Sequence, residues 1–176
     1  MVYDNSRDDE NMQVFDIIKY KSLLLHKFNE KFNIIQLLTA HMDFQVIYFT
    51  KTGHTKKVAE AIASELNVKA EDVKDAKLND EGLVFLGSGK YGPQPGKTIM
   101  EFIENNNFKS RNVALFGTSG GGKGLEVQEM EKALNAKGAC IKGKFFCRGK
   151  FMFFNRGRPN DEDLNEAKKF AKQMIK

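Results

Sequence analysis

The sequence predicts one α/β domain in which a five-stranded parallel sheet carries helices on both faces. Short apolar runs alternate with helix-patterned segments from residue 42 onward, and two of those runs lead into glycine-rich segments. Unbroken apolar runs are the mark of strands buried on both faces, and alternation with helices is the mark of parallel connections. A chain of 176 residues, 41% hydrophobic and 29% charged, suits one such core rather than two.

The first strand is expected at Phe44 to Phe49, followed by a polar turn and a helix with Val58, Ala59, Ile62, Ala63 and Leu66 on one face, closing near Asn67. A short second strand is expected near Val68 to Val73. The third, Leu83 to Leu86, enters a Gly/Pro-rich loop over Gly87 to Gly96 and then a helix around Thr98 to Asn105. The fourth, Val113 to Phe116, leaves through a loop over Gly117 to Gly124 into a helix bearing Val127, Met130 and Leu134 and stopped by Gly138. A fifth strand falls within Ala139 to Phe146. The last helix starts at an Asn160 cap with Asp163 at its third position and continues through Leu164, Ala167, Ala171 and Met174.

Residues 1–41 stand apart as a helical extension of the domain over 42–176. Val14, Ile17, Ile18, Leu24, Leu25, Phe28, Phe32 and Ile35 follow approximate helical spacing. Such a stripe suits a partner-binding arm or a membrane-surface helix; the favoured expectation is an extension upstream of a natural start at Met42.

Charge and composition narrow the function. Residues 1–41 hold five bases and six acids, leaving 23 bases and 17 acids downstream, so the domain itself is basic. Its lysines are scattered without interleaved aromatic platforms, which argues against nucleic-acid binding and for a solvated basic surface. No apolar run reaches the roughly 18 residues of a membrane span, and the N-terminus opens with Asp4, Asp8, Asp9 and Glu10, so a cytoplasmic protein without an integral membrane segment is expected. Cys140 and Cys147 lack zinc-site spacing, and His26, His41 and His54 form no recognisable triad, so neither a metal site nor a catalytic residue is assigned.

In an open parallel sheet, ligands bind beyond the carboxyl ends of the strands. The loop Thr50-Lys51-Thr52-Gly53-His54-Thr55 has a glycine for close backbone approach, three hydroxyls and a following helix whose free N–H groups suit a phosphate. A threonine-rich helix cap is the alternative reading. Two other motifs fail on context. Gly87 to Gly92 spells GxGxxG, but Pro93 and Pro95 follow where a helix would open; Gly117 to Lys123 spells GxxxxGK, but Gly124 replaces the magnesium-binding Ser/Thr.

The run V-I-Y-F-T-K-T-G-H-T resembles the flavodoxin family, whose phosphate loop follows S/T-x-T-G-x-T. The resemblance extends over Met42 to Lys176, through L-V-F-L-G-S-G-K-Y-G, V-A-L-F-G-T-S-G-G-G and G-R-P-N-D-E-D-L-N-E-A-K-K-F-A. It implies a three-layer sandwich with strand order 2-1-3-4-5 and bound FMN. The phosphate would be held at Thr50, Lys51, Thr52, Gly53, His54 and Thr55. Ser88, Gly89, Lys90, Tyr91 and Gly92 would flank the ring on one side, and Thr118, Ser119, Gly120 and Gly121 on the other.

Departures from the family carry their own expectations. His54 stands where asparagine is common and is expected to point into solvent. Tyr91 is available to stack on the ring, whereas the second flanking loop has no aromatic residue. Flavodoxins are usually acidic; here Lys90, Lys97 and Lys123 are expected near the flavin, favouring its reduced anionic form and a less reducing cofactor. Arg148 beside Cys147 suggests a sensitised thiol, against the favoured reading of a small buried strand residue. Phe145, Phe146, Phe151, Phe153 and Phe154 are expected to divide between core and a docking patch.

The resemblance thus implies an electron carrier serving redox partner proteins, with an FMN-dependent NAD(P)H/quinone reductase as the alternative and a flavin-free interaction domain as the third reading. Oligomeric state is left open.

Overall fold

The computed structural model describes residues 44–80, 82–92, 94–150 and 155–175. The extension over 1–41, and with it the expected amphipathic helix, lies outside the described residues, as do Phe151, Phe153 and Phe154.

The chain runs β1 (Phe44–Phe49), α1 (His54–Leu66), β2 (Ala70–Asp72), β3 (Leu83–Tyr91), β4 (Gln94–Pro95), α2 (Lys97–Asn105), β5 (Asn112–Ser119), α3 (Leu125–Ala136), β6 (Cys140–Arg148) and α4 (Asp161–Met174). Five strands pair in parallel in the order β2-β1-β3-β5-β6, the expected topology, and the two-residue β4 adds an antiparallel pairing on β3. Among the described residues no helix is long and apolar enough to cross a membrane.

Side-chain alternation along the central strands builds the three layers. Val46 and Tyr48 of β1, Phe85 of β3 and Ala114 and Phe116 of β5 pack with Val58 and Ile62 of α1 and Ala167 and Phe170 of α4. Ile47 and Phe49, Val84 and Leu86, and Val113 and Leu115 point the other way, against Ile99 and Ile103 of α2 and Met130 and Leu134 of α3. The helix boundaries follow their punctuation: Asn67 closes α1 in the left-handed region at φ 56°, and Asn160 and Asp163 form a reciprocal capping box on α4.

Two strands run further than expected. Gly87, Ser88 and Gly89 pair with Phe116, Gly117 and Thr118, so β3 and β5 penetrate the segments read from composition as loops. The glycines there make room rather than turns. A Cβ on Gly87 would lie 2.1 Å from the Phe116 ring, and one on Gly117 would lie 2.6 Å from both Glu126 and Val127. The fifth parallel strand likewise extends past Phe146 to Arg148.

Candidate functional site

The carboxyl ends of β1, β3, β5 and β6 converge on a cleft of about 480 Å³ bounded by the threonine loop, the end of β3, the end of β5 and Gly149-Lys150. At its base α1 begins at Gly53, whose φ of 82° is left-handed and which no side chain caps. The first turn of α1 contains no acidic residue, and open space surrounds Gly53. A helix N-terminus presents N–H groups without intrahelical partners and a partial positive charge, so this end of α1 suits an anion.

The loop owes its shape to internal hydrogen bonds. The Gly53 N–H donates to Thr50 Oγ1 at 3.0 Å, closing the turn. Thr55, fully buried, shares a hydroxyl–hydroxyl bond of 2.8 Å with Thr118 and so ties α1 to β5. Thr52 is exposed at the mouth. The Tyr91 hydroxyl accepts the Lys51 backbone N–H at 2.7 Å, its ring meets Phe49 edge-on at 5.6 Å, and Lys51 Nζ sits 4.7 Å from the ring centroid. Tyr91 therefore bridges two loops instead of standing as a free platform.

Ten of the fifteen residues expected at the site line this cleft: Lys51, Thr52, His54, Gly89, Lys90, Tyr91, Gly92, Thr118, Ser119 and Gly120. Thr50, Gly53 and Thr55 shape its base without lining it. Ser88 is fully buried; its hydroxyl donates to the Gly89 carbonyl and accepts the Gly96 N–H at 3.0 Å, so it clips β3 to the start of α2. Gly121 lines an adjoining cleft of about 340 Å³ together with Lys90, Ser119, Lys123 and Leu125. The two clefts share Lys90, Gly92, Ser119 and Gly120.

Gly149 and Lys150 are not among the expected site residues, because an end of the fifth strand at Phe146 places them beyond the strand end; with β6 reaching Arg148, the strand-end rule picks them out. The Gly149 N–H donates to the Ser119 carbonyl at 3.0 Å, and the Asn155 amide donates to the carbonyls of Gly120 and Gly149 at 2.7 and 3.3 Å. Those bonds hold the segment after β6 against the end of β5.

The charges are redistributed relative to expectation. Lys97 does not line the cleft; it pairs with Glu101 at 3.3 Å on α2. Lys51 and Lys150 take its place beside Lys90, with Lys123 in the adjoining cleft, and neither lining includes a carboxylate. His54 is half-buried, with one ring nitrogen turned inward. Its Nδ1 is buried without a hydrogen-bond partner, and burial together with Lys57 and Lys150 holds its pKa below the ordinary value, favouring the neutral ring.

The thiol of Cys147 is buried, and its pKa is pushed up to about 12, by burial first and the Asp163 charge second. Arg158 opposes this only in part, so the sensitised reading of Cys147 is displaced by the buried-strand reading. Phe145 belongs to the core, stacked on Phe170 with centroids 5.8 Å apart, whereas Phe146 is 46% exposed.

Such features define a doubly wound α/β protein with an anion-receptive cleft at the carboxyl ends of its strands. The chain belongs to the flavodoxin domain family, whose model matches residues 45–175. It is 34% identical over 172 residues to the flavodoxin-like domain-containing protein BilS of Clostridioides difficile, covering 74% of this chain and 94% of that one. A flavodoxin of Clostridium beijerinckii is 28% identical over 109 residues, covering 55% of this chain and 79% of its own length. The solved structure of a flavodoxin from the domain Archaea shares the fold at a TM-score of 0.62 and 20% identity, over 76% of this chain and 96% of that one.

Proposed function

We propose that the protein binds FMN in the cleft over the N-terminus of α1 and acts as an electron carrier between redox proteins. The observation that carries this reading is the uncapped, acid-free start of α1 lying beneath a cleft at which four strand ends converge. Thr52, His54 and the backbone of the first turn of α1 would hold the phosphate, while Gly89 to Gly92 and Thr118 to Gly120 would flank the ring. When bound, FMN supplies one- or two-electron chemistry. The protein's own contribution is to orient the phosphate, to keep the walls close through the Thr55–Thr118 and Asn155–Gly120 bonds, and to surround the cleft with lysines.

A visible absorption titration of purified protein with FMN tests the reading. Saturable binding with perturbed flavin bands is expected, weakened about tenfold by Thr52→Ala/Thr55→Ala through loss of hydroxyl hydrogen bonds. Thr55→Ala alone, followed by thermal unfolding, separates the loss of the Thr118 bond from the loss of phosphate contacts. Folded protein that takes up no FMN would leave the flavin-free interaction domain.

Lysines around the cleft also set an expected potential. FMN-loaded protein should show a less negative second reduction potential than an acidic flavodoxin, and Lys90→Gln/Lys150→Gln should move it to more negative values. An equally low potential in the parent, unmoved by the double substitution, would reject the electrostatic reading.

One observation favours the reductase alternative. The adjoining cleft between Lys90 and Lys123 opens off the first where the 120–122 glycines carry no aromatic cover, leaving room for a small acceptor. Rapid NAD(P)H oxidation in the presence of a small quinone would select that reading; slow oxidation without a partner protein selects the carrier.

A further inference from the structure

We infer that the surface formed by Leu125, Phe146, Lys90, Lys123, Arg148 and Lys150 is a docking face for a protein that presents an acidic rim around an apolar contact. The inference rests on the carrier reading and adds to it the location of the partner surface and the sign of the partner's charge.

Two features coincide here. The first is apolar. Leu125 and Phe146 are 39% and 46% exposed, and they are two of the three large hydrophobic side chains exposed among the described residues. Phe146 lies directly on the loop that precedes Leu125: a Cβ on Gly124 would fall 2.6 Å from its ring. Arg148, two residues on and therefore on the same side of β6, lies over Gly122, where a Cβ would fall 2.7 Å from Arg148 Cγ. Both glycines hold left-handed conformations, φ 60° and 66°, so the loop is shaped to pass beneath these two side chains. An exposed apolar pair seated on a shaped loop, ringed by charge, has the layout of an interface centre and rim.

The second feature is the state of the cations. Lys56, Lys97, Lys132, Lys144, Lys169 and Lys172 each pair with a glutamate of the chain, while other cations, Lys69 and Lys109 among them, make no ion pair among the described residues; what sets this face apart is that its cations gather around two clefts. Among the described residues Lys90, Lys123, Arg148 and Lys150 make no ion pair, and no carboxylate lines either cleft between them. Unopposed charge of one sign around a cleft gives a field that attracts an acidic partner and orients it before contact. The apolar pair would then supply the short-range contact, beside the cleft through which electrons enter and leave.

Two probe proteins test the face, an acidic ferredoxin and a basic cytochrome c, each titrated calorimetrically into the full 176-residue chain, flavin-free and FMN-loaded. Ferredoxin is expected to bind, with affinity falling about tenfold or more between roughly 0.02 and 0.2 M salt. Lys123→Glu/Arg148→Glu should weaken it at least about tenfold, while Lys69→Glu/Lys109→Glu, the same change in net charge placed before β2 and β5 at the far ends of the strands, should change it less than about twofold. Leu125→Ser/Phe146→Ser should weaken binding at every salt concentration without altering the salt dependence. Unchanged melting temperatures show that each variant is folded.

Equal losses in the two charge-reversed variants, no ferredoxin binding, or tighter binding to cytochrome c would each overturn the inference. If ferredoxin docks as described on protein that takes up no FMN, the flavin reading falls and the surface stands. If FMN binds and the charge reversals do not discriminate, the surface falls and the flavin reading stands.

Discussion

Gly87→Ala is expected to destabilise the domain by about 1–3 kcal/mol, the range for forcing an extra methyl group into a packed core. Gly87 sits in a row that crosses the sheet from Tyr48 through Gly87 and Phe116 to Phe145, so a glycine separates large rings on one face. A Cβ there would meet three Phe116 ring atoms at 2.1–2.4 Å, and Phe116 is fully buried. The ring has to move into neighbours that are themselves packed, and this is where the cost arises. Denaturant unfolding should show a lower midpoint at unchanged slope. Gly87→Ala/Phe116→Leu should lose less than the sum of the two single changes, because the smaller side chain gives back the space the methyl group takes. A single-variant loss below about 0.5 kcal/mol, within the range of ordinary surface changes, would show that the row can relax and that the glycine is not required for packing.

That position also shows what the sequence conveys and what it conceals. Gly87-Ser88-Gly89 has the composition of a loop, and nothing local distinguishes a glycine that turns the chain from one that faces a phenylalanine on the next strand. The distinction depends on Phe116, 29 residues away in sequence and adjacent only in the sheet. The threonine loop was legible because its chemistry is local: a strand, a glycine, hydroxyls and a helix start occur within twelve residues. Lys150 was not, since its place in the cleft depends on where β6 ends. Lys97 was misplaced for the opposite reason. It lies next to a loop at the site, but its position at the start of α2 directs it to Glu101 one turn along. The unbroken apolar runs of β1, β3 and β5, buried on both faces, made the sheet legible, whereas the edge strand β6 alternates exposed lysines with Phe145 and Cys147 and so read less sharply.

Glu126→Met is expected to stabilise the protein at neutral pH by about 1–3 kcal/mol, the penalty for a buried polar group left without partners. Glu126 stands in the first turn of α3, where an acid ordinarily complements the helix dipole from the surface. Here it is fully buried, and neither carboxylate oxygen has a hydrogen-bond partner. Its side chain turns inward over Gly117, occupying space that only a glycine leaves. Burial raises its pKa. Its own backbone N–H and the Ser119 hydroxyl, close by but outside hydrogen-bond geometry, and the Lys90 charge favour the ionised form more weakly.

The sign of the pH dependence follows from the raised pKa. Below the carboxyl pKa of the unfolded chain, about 4.3, both states carry the proton and burial costs no charge. Between that value and the higher folded pKa, the unfolded chain has released its proton while the folded chain retains it, so native stability falls as pH rises. The advantage of methionine should therefore be smallest near pH ~4 and grow toward neutrality. Unfolding of parent and variant at both ends of this range measures it. An advantage that shrinks as pH rises would mean that Lys90 and the start of α3 outweigh burial and hold Glu126 as a carboxylate. The two outcomes bear on the cleft as well: a neutral Glu126 leaves the Lys90 charge uncancelled at the wall shared by both clefts. The substitution that stabilises the fold should then leave FMN affinity and the salt dependence of docking unchanged.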